Sequence, residues 1–408
     1  MQSYPGLYAL ETDRFRLEDL FFSRIDKRGH IQSGNAAFQY ISGYDWSDLI
    51  GAPQKIVRHP DMPECVFFML SESAQKNEPI GGYVVNRTKQ GQPFWVFAIM
   101  MPLEDGFISI RLKPTSKFLE KIKPVYEKLR GAEEKDGASV EDGAKMFLAD
   151  LKEMGFDDYS HFMSDALIAE TMGRISNLGK ARPQVISALQ NIAEAVSVVE
   201  NSGGTVEMLF SRTEQIPYNM RLQAGRLEGA DGPISVISDN HRQMSQSLSH
   251  SLSGFRDAAE LGAGPLRSAM FVSAIATLIP EVLALYSREP TNDAGDRKLN
   301  LDYLTELTDQ YEKQSRAAVS QLADKARRFA RICRDMRRMM SGLEMTRIMC
   351  KIERSKAQGD TEGLDEIVNR LQSSEQDLNR VMTEIEDAVR VILEASDQML
   401  RRTSKEAA

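Results

Sequence analysis

Short apolar runs separated by turn residues occupy the first part of the chain, up to about residue 116. Where Val, Ile, Phe and Tyr cluster between Gly, Asp and Lys residues, the pattern is typical of strands. The predicted strands are 19–26, 30–34, 81–89, 92–101 and 107–113. Turns at Gln90-Gly91 and Glu104-Asp105-Gly106 join the last three into a meander. Short helical turns are predicted over 35–50 and a longer helix over 62–75.

From Phe118 onward the apolar positions follow helical periods. One seam alternates spacings of four and three residues, which is typical of a coiled coil. It consists of Val185, Leu189, Ile192, Val196, Val199, Gly203, Val206, Phe210 and Thr213. Asp231-Gly232-Pro233 then breaks the helix, and a returning stripe contains Ile237, Met244 and Leu248. Two apolar helices joined by a short Gly-rich turn predict an antiparallel hairpin.

A regular heptad pattern ends the chain. The apolar positions seven residues apart are Leu364, Leu371, Leu378, Ile385, Ile392 and Met399, and their companions are Ile367, Val381, Ala388 and Ala395. A shorter run contains Leu322, Phe329, Met336 and Leu343, with Gly359 in the break. These heptads predict a long coiled-coil helix, which forms either a second hairpin or a dimer seam.

Composition narrows the class of protein. The 408 residues suffice for two or three domains, and the net charge of −8 gives no indication of nucleic-acid binding. Three widely spaced cysteines favour a reducing cytoplasm over a disulfide framework or a zinc site. The N-terminus lacks a signal-peptide pattern. The apolar stretch 268–286 is interrupted by Ser, Thr, Pro and Glu residues, so we expect a buried bundle helix, with a membrane span as the alternative.

The chain shows no set of catalytic residues. It has no Gly-rich phosphate loop, no nucleophile elbow and no paired-histidine metal helix, so we expect a protein without enzymatic activity. The basic run 325–338 lies off its apolar seam and predicts a solvated face that pairs with acidic neighbours.

A single stretch carries the most specific resemblance. Arg58-His59-Pro60-Asp61-Met62-Pro63 is followed by Asn86-Arg87, Lys89, Gly91 and Phe94-Trp95-Val96. These residues, in this order of elements, resemble the PAS domain of the bacterial aerotaxis receptor family. The resemblance covers roughly the first quarter of the chain. It implies an α+β PAS domain, a five-stranded antiparallel sheet with short helices, followed by an all-α antiparallel helical bundle or coiled coil.

The same stretch provides the candidate cofactor site. An arginine could hold a phosphate or carboxylate bidentately, and a histidine and an aspartate could hydrogen-bond a heteroaromatic ring. The alternative is a polar loop in which Asp61 caps the next helix. By resemblance, Arg58, His59 and Asp61 become flavin adenine dinucleotide (FAD) candidates, supported by Asn35 and Asn86. Ile80 stands where the family has Trp, and the other possibilities are haem, another ligand or no ligand.

The hairpin turn shows a second resemblance. The segment 219–244 resembles the cytoplasmic tip of methyl-accepting chemotaxis proteins, with Asn219, Arg226 and Arg242 among the matching positions. In that family the tip contacts the chemotaxis histidine kinase and its coupling protein. The resemblance therefore makes these three residues candidates for partner contacts. The alternative is an ordinary helical hairpin with a Gly-rich turn.

These observations predict four segments and one function. The segments are a PAS sensor domain at 1–117, a linker helix and flexible link at 118–160, a receptor-tip-like hairpin at 161–290 and coiled-coil helices at 291–408. We expect a cytoplasmic, homodimeric sensor of redox state or oxygen that signals through its helices, with no nucleic-acid partner and no membrane span. The alternative is a cofactor-free PAS interaction or scaffold protein that dimerises through its coiled coil.

Overall fold

The structure, a computed structural model, describes residues 14–135, 137–212, 216–227, 232–289, 297–356 and 362–406. They form two compact units, each built from two stretches of chain. The first unit contains residues up to Ser187 together with Arg267–Ala317, and the second contains Ala188–Leu266 and Ala318–Ala408. The four sequential segments predicted from the sequence remain a prediction.

A five-stranded antiparallel sheet forms the centre of the first unit. Its strands are β1 Leu20–Asp26, β2 Ile31–Gly34, β3 Ile80–Arg87, β4 Pro93–Leu103 and β5 Gly106–Leu112, in the spatial order β2-β1-β5-β4-β3. All four pairings are antiparallel. The register places Ser23 opposite Ser109 and Phe21 opposite Arg111, so these side chains share one face of the sheet. The strands predicted from the sequence are confirmed to within two residues.

Short helices, which lie between β2 and β3 in the sequence, cover the face that carries Ser23, Ser109, Phe21 and Arg111. This face is called the concave face, and the opposite one the convex face. They are α1 Ala36–Ser42, α2 Trp46–Leu49 and α3 Glu64–Gln75, with a 3-10 turn at Gln54–Val57. Helix α1 ends at Gly43, whose φ of 72° lies in the left-handed region that glycine adopts without strain. The motif 58–63 is the link that leads from the 3-10 turn into α3.

Nine longer helices follow the sheet within the described part of the chain. They are α4 Lys117–Lys135, α5 Val140–Glu153, α6 Tyr159–Asn177, α7 Gln184–Ser211, α8 Ile216–Leu227, α9 Pro233–Ala259, α10 Ala263–Tyr286, α11 Arg297–Lys356 and α12 Glu362–Glu406. In the first unit, α6 packs on β3, and Tyr286 of α10 meets Phe22 edge to face at 4.9 Å. Helices therefore cover the convex face of the sheet, opposite the short helices.

Helical hairpins build the second unit. Glu207 of α7 pairs with Arg256 of α9, and Ser238 of α9 donates to the carbonyl of Pro217 in α8. Pro217 lies in the first turn of α8, where its missing N–H costs nothing. The antiparallel hairpin predicted around the turn is therefore observed, with residues 213–215 and 228–231 outside the described part.

The heptads of α12 form a buried face against other helices of the same unit. The heptad residues Leu364 to Ile392 and the companions Ile367, Val381, Ala388 and Ala395 are buried. Ion pairs Arg327–Asp397, Arg337–Glu386 and Arg347–Glu375 align α11 and α12 antiparallel. Two members of the predicted basic run thus pair with acidic neighbours, as expected, and Gly359 lies outside the described residues.

One position of the predicted seam in α7 is wrong. Val185 is 44% exposed, whereas its neighbour Ile186 is fully buried. The remaining described members from Leu189 to Phe210 are buried, and Thr213 lies outside the described residues. The buried seam therefore begins one residue later, at Ile186 in the first turn of α7.

One helical stretch in the described part, Pro233–Tyr286, meets the length and composition of a membrane-crossing helix. Of its most apolar window, 56% is buried within the protein. The core helix of a bundle has the same properties.

Candidate functional site

A cavity of ≈ 430 Å³ lies between the concave face of the sheet and the short helices. Its floor comes from β3, β4 and β5, and its wall from α3 and the 3-10 turn. The apolar lining includes Val57, Val84, Ala98, Met100 and Phe107. A volume of this size is typical of small-molecule sites.

The other end of the concave face is filled by aromatic rings. Phe21 and Phe38 stack at 5.8 Å, and Phe15 contacts both Phe21 and Phe94 edge to face. The interior of the domain is therefore divided into a packed half under α1 and an open half under α3.

Arg58, one of the candidate cofactor residues, lies in the cavity wall. Its guanidinium lies 3.2 Å from the centroid of the Phe67 ring in α3, and its backbone bridges to Asn86 of β3. Burial lowers the pKa of Arg58, and the nearby Glu64 carboxylate opposes that shift. A planar guanidinium that stacks on a ring keeps its edge available for a phosphate or carboxylate.

His59 and Asp61 shape the motif loop and do not line the cavity. The backbone N–H of His59 donates to the carbonyl of Val85 at 3.3 Å, and its Nδ1 accepts from the backbone N–H of Asp61 at 3.3 Å. Burial lowers the pKa of His59, although the Asp61 carboxylate 3.7 Å away raises it. These contacts fix the loop on β3, which positions Arg58.

Asn35 and Asn86 are both buried but differ in their contacts. The Oδ1 atom of Asn35 accepts from the backbone N–H groups of Phe22 and Phe38, and its Nδ2 donates to the carbonyl of Leu20. It caps α1, ties that helix to β1 and lies outside the cavity lining. Asn86 does line the cavity, and within the described part of the chain its buried Nδ2 has no hydrogen-bond partner. Such a donor is costly unless a ligand or water satisfies it.

The sequence prediction missed Arg111 of β5. Its side chain lines the cavity and is 6% exposed, and Nη1 donates to Ser23 at 3.0 Å. The rings of Phe21 and Phe38 lie 5.5 and 6.0 Å from the guanidinium carbon. Burial lowers the pKa of Arg111 to about 10. The signal in the sequence was the alternation of β5, where Phe107, Ser109 and Arg111 face inward between apolar neighbours.

The N-terminus of α3 is capped by a distant residue. The carboxylate of Glu133 in α4 accepts from the backbone N–H groups of Glu64 and Cys65, both at 3.0 Å. Asp61, the cap expected under the polar-loop alternative, does not make this contact. The same burial, with the Glu133 charge, raises the pKa of Cys65 to about 12, so its thiol stays protonated. The end of the motif is thus attached to α4.

A second attachment lies on the convex face of the sheet. Glu170 of α6 is fully buried, and its carboxylate accepts from the hydroxyls of Tyr83 at 2.5 Å and Ser116 at 2.6 Å. It also accepts from the backbone N–H groups of Thr115 and Ser116. Because Tyr83 precedes Val84 of the cavity floor, α6 contacts the strand that carries the site.

The candidate partner residues lie on the α8–α9 hairpin of the second unit. Asn219 is exposed on α8, and Arg242 lies on α9 with Asp239 3.6 Å away. The backbone of Arg226 belongs to α8, while its side chain lies outside the described part. Tyr218, Leu222 and Val236 are apolar side chains that are more than half exposed on the same hairpin.

Comparison with known proteins gives one curated relative and several structures. The chain is 36% identical over 135 residues to the aerotaxis receptor of Escherichia coli strain K12, which covers 32% of this chain and 26% of the receptor. It thus spans about a quarter of that receptor's length. No family model matches.

The solved structures similar to the chain include a PAS domain and a LOV domain. A PAS domain from Colwellia psychrerythraea is 19% identical, with 24% of this chain and 86% of that chain covered at a TM-score of 0.21. The LOV domain of a blue-light activated histidine kinase from Erythrobacter litoralis is 20% identical. The match covers 22% of this chain and 90% of that domain's chain, at a TM-score of 0.21. With the sequence identity to the aerotaxis receptor, the observed sheet and short helices form a PAS domain of the aerotaxis receptor type, which a long helical region follows.

Proposed function

We propose that the protein is a signal-transduction sensor whose PAS domain binds FAD in the cavity and responds to redox state or oxygen. The observation that carries the proposal is a pair of buried polar groups among the apolar side chains of the cavity. Within the described part of the chain the buried Nδ2 of Asn86 has no hydrogen-bond partner, and Arg111 presents a buried cation. Both groups fit a ligand that has hydrogen-bond acceptors on a ring.

The rim of the cavity fits the phosphates of a dinucleotide. Lys27, Arg28, Lys55 and Arg58 surround the opening, and Asp26 is the acidic residue among the lining side chains. Cations in this arrangement attract phosphate groups, and Arg58 could hold one bidentately. Bound flavin would supply the change between oxidised and reduced states. The residues of the chain would hold the ring on Val84, Ala98 and Met100 and keep water from it.

Output through the helices rests on the two attachments of the PAS domain. Glu133 joins α4 to the end of the motif, and Glu170 joins α6 to the strand beside the cavity floor. A shift of β3 or of the motif loop would change the hydrogen bonds of these carboxylates. Buried networks of this kind have discrete arrangements, so they are suited to a two-state signal.

The α8–α9 hairpin is proposed as the surface that contacts a chemotaxis histidine kinase and its coupling protein. Support comes from the exposed apolar side chains of Tyr218, Leu222 and Val236 beside Asn219. Exposed apolar residues on one hairpin are typical of protein interfaces.

The protein is further proposed to be a homodimer in the cytoplasm without enzymatic activity. The three free, buried cysteines agree with a reducing compartment.

An absorption spectrum of the purified protein, before and after incubation with FAD, tests the cofactor. We expect flavin bands that remain after gel filtration. Ala98→Phe should abolish them, because the new ring fills the cavity floor. Ile50→Phe, a change in the same domain outside the lining, should keep them. Protein that stays colourless with FAD, or Ala98→Phe that binds like wild type, would contradict the proposal.

Co-sedimentation with the kinase and coupling protein tests the hairpin. We expect association that Leu222→Asp weakens, with Leu285→Asp, an exposed residue outside the hairpin, as the control. A colourless protein that dimerises and does not associate would favour the scaffold alternative.

A further inference from the structure

Buried arginines in the described residues fall into two groups. Arg24, Arg111 and Arg174 are each less than a tenth exposed. Arg24 lies 3.2 Å from the carboxylate of Asp105, and Arg174 makes a bidentate contact with Glu281 at 2.8 Å. Arg111 has no carboxylate within ion-pair distance among the described residues, and it is the member that lines the cavity.

An unpaired buried cation is costly, so its environment has to be explained. Removing a charge from water costs several kcal/mol unless an opposite charge or hydrogen bonds compensate. For Arg111 the described compensation is one hydrogen bond to Ser23, a long one to the carbonyl of Ser109 and two aromatic rings. Cation–π contacts contribute roughly 0.5–2 kcal/mol each. The described hydrogen bonds of the guanidinium use Nη1, and its other N–H donors make no described hydrogen bond.

The position of Arg111 separates it from the other cations of the site. Lys27, Arg28 and Lys55 are exposed on the rim, whereas Arg111 is buried on β5 and lines the floor of the cavity. Rim cations match groups that stay in contact with water, such as phosphates. The buried cation matches the part of a ligand that enters the cavity.

We propose that Arg111 is the counter-ion of the bound ligand's buried ring and favours the state in which that ring carries a negative charge. The inference rests on the proposed function for its ligand, which is flavin. Two electrons and one proton taken up by a neutral ring leave one negative charge on it. A cation beside the ring stabilises that product over the oxidised form and raises the reduction potential.

The test compares Arg111→Met, which removes the charge, with Arg111→Lys, which keeps it. Each variant is reconstituted with FAD and titrated with dithionite as the electron donor against a reference dye. We expect Arg111→Met to have a more negative potential than wild type and Arg111→Lys to stay close to wild type. An unchanged potential in Arg111→Met would overturn the proposal, because a merely structural role does not depend on the charge.

Comparing the binding of riboflavin with that of FAD shows which part of the ligand Arg111 contacts, the ring or a phosphate. Loss of a charge-assisted hydrogen bond weakens binding about tenfold to a hundredfold. Arg111→Met should therefore weaken both ligands to a similar extent, since both carry the ring. The rim double variant Arg28→Met/Lys55→Met should weaken FAD alone, since riboflavin has no phosphate. If Arg111→Met affected FAD and spared riboflavin, Arg111 would hold a phosphate and the proposal would be wrong.

If the wild-type protein binds no flavin, the proposed function is contradicted. The role of Arg111 is then tested by the melting temperature of the ligand-free protein. An unpaired cation predicts that Arg111→Met melts at or above the wild-type temperature, whereas Arg24→Met, which loses a paired arginine, melts lower. If Arg111→Met were destabilised as strongly as Arg24→Met, Arg111 would be a structural residue and the inference would fail.

Discussion

Asn35 illustrates how one side chain can support a site that it does not touch. Its amide makes three buried backbone hydrogen bonds that connect β1 to the N-terminus of α1. We expect Asn35→Ala to lower the free energy of unfolding by about 2–4 kcal/mol, because a cap and buried backbone partners are lost.

Urea denaturation measures this change, and Asn201→Ala, an exposed position on α7, should change the free energy by less than about 0.5 kcal/mol. The folded fraction of Asn35→Ala should bind FAD with wild-type affinity. A stable Asn35→Ala protein with weakened FAD binding would instead make Asn35 a ligand contact.

We expect His241 to make the second unit sensitive to acid. It is 1% exposed in α9, neither ring nitrogen has a partner among the described residues, and burial lowers its pKa from 6.5 to about 4. Above pH 6.5 both folded and unfolded states hold it neutral. Below that pH the unfolded state binds the proton first, so stability falls by about 1.4 kcal/mol per pH unit until about pH 4.

Urea denaturation at pH 7 and pH 5 checks this expectation. His241→Met should remove about 2 kcal/mol of the difference between the two pH values. Gln243→Met, a change at an exposed position that does not titrate on the same helix, should keep the wild-type difference. An unchanged pH dependence in His241→Met would show that other groups cause the acid sensitivity.

At the residue scale, two of the cofactor candidates named from the sequence lie at the cavity. Arg58 and Asn86 line it because the motif and β3 run side by side, and their role as ligand contacts stays a prediction. Arg111 was missed because a basic residue near a strand end is common, and its significance depends on which carboxylates the fold brings near it. The positions of these carboxylates depend on the tertiary fold. Asp105 pairs with Arg24 and Glu281 pairs with Arg174, and both pairs join residues that are far apart in the sequence.

At the scale of elements, α6 and β3 are joined by one carboxylate. Glu170 accepts hydrogen bonds from the buried hydroxyl of Tyr83 and from Thr115 and Ser116. We expect Glu170→Ala to destabilise the first unit by roughly 3 kcal/mol, since several donors, the buried Tyr83 hydroxyl among them, lose their acceptor. Tyr83→Phe should cost about 1 kcal/mol, because it removes one of these bonds.

Hydrogen exchange followed by mass spectrometry measures the local stability of each helix. Glu170→Ala should speed exchange in Tyr159–Asn177 and leave Glu362–Glu406 unchanged. Equal protection of α6 in wild type and Glu170→Ala would show that apolar packing alone holds the helix.

Strands and heptads were predicted well because their periods are local. The alternation of β3 to β5 and the seven-residue repeat of α12 each depend on neighbouring residues alone. The cap of α3 by Glu133 was not predicted, since its donor and acceptor lie 68 residues apart in sequence. The start of the α7 seam was wrong by one residue for the same reason, because the first turn of a helix is fixed by its tertiary neighbours.

At the scale of the whole molecule, the chain combines a ligand-sized cavity with a predominantly helical region. The PAS type was inferred from its motif and is supported by the identity to the aerotaxis receptor. The division into two discontinuous units was not apparent from the sequence, because Arg267–Ala317 returns to the first unit after the α7–α9 hairpin. Helices α10 and α11 belong partly to each unit.

FAD is proposed to bind between the sheet and α3. Purified protein is stripped of ligand, and its hydrogen exchange is measured with and without saturating FAD. The comparison tests whether FAD binds and which segments it contacts. We expect slower exchange in the segments that line the cavity, which are residues 26–29, the 3-10 turn Gln54–Val57 and α3, with no change in α12. Unchanged exchange in all three segments, or protection confined to the helices of the second unit, would contradict the account.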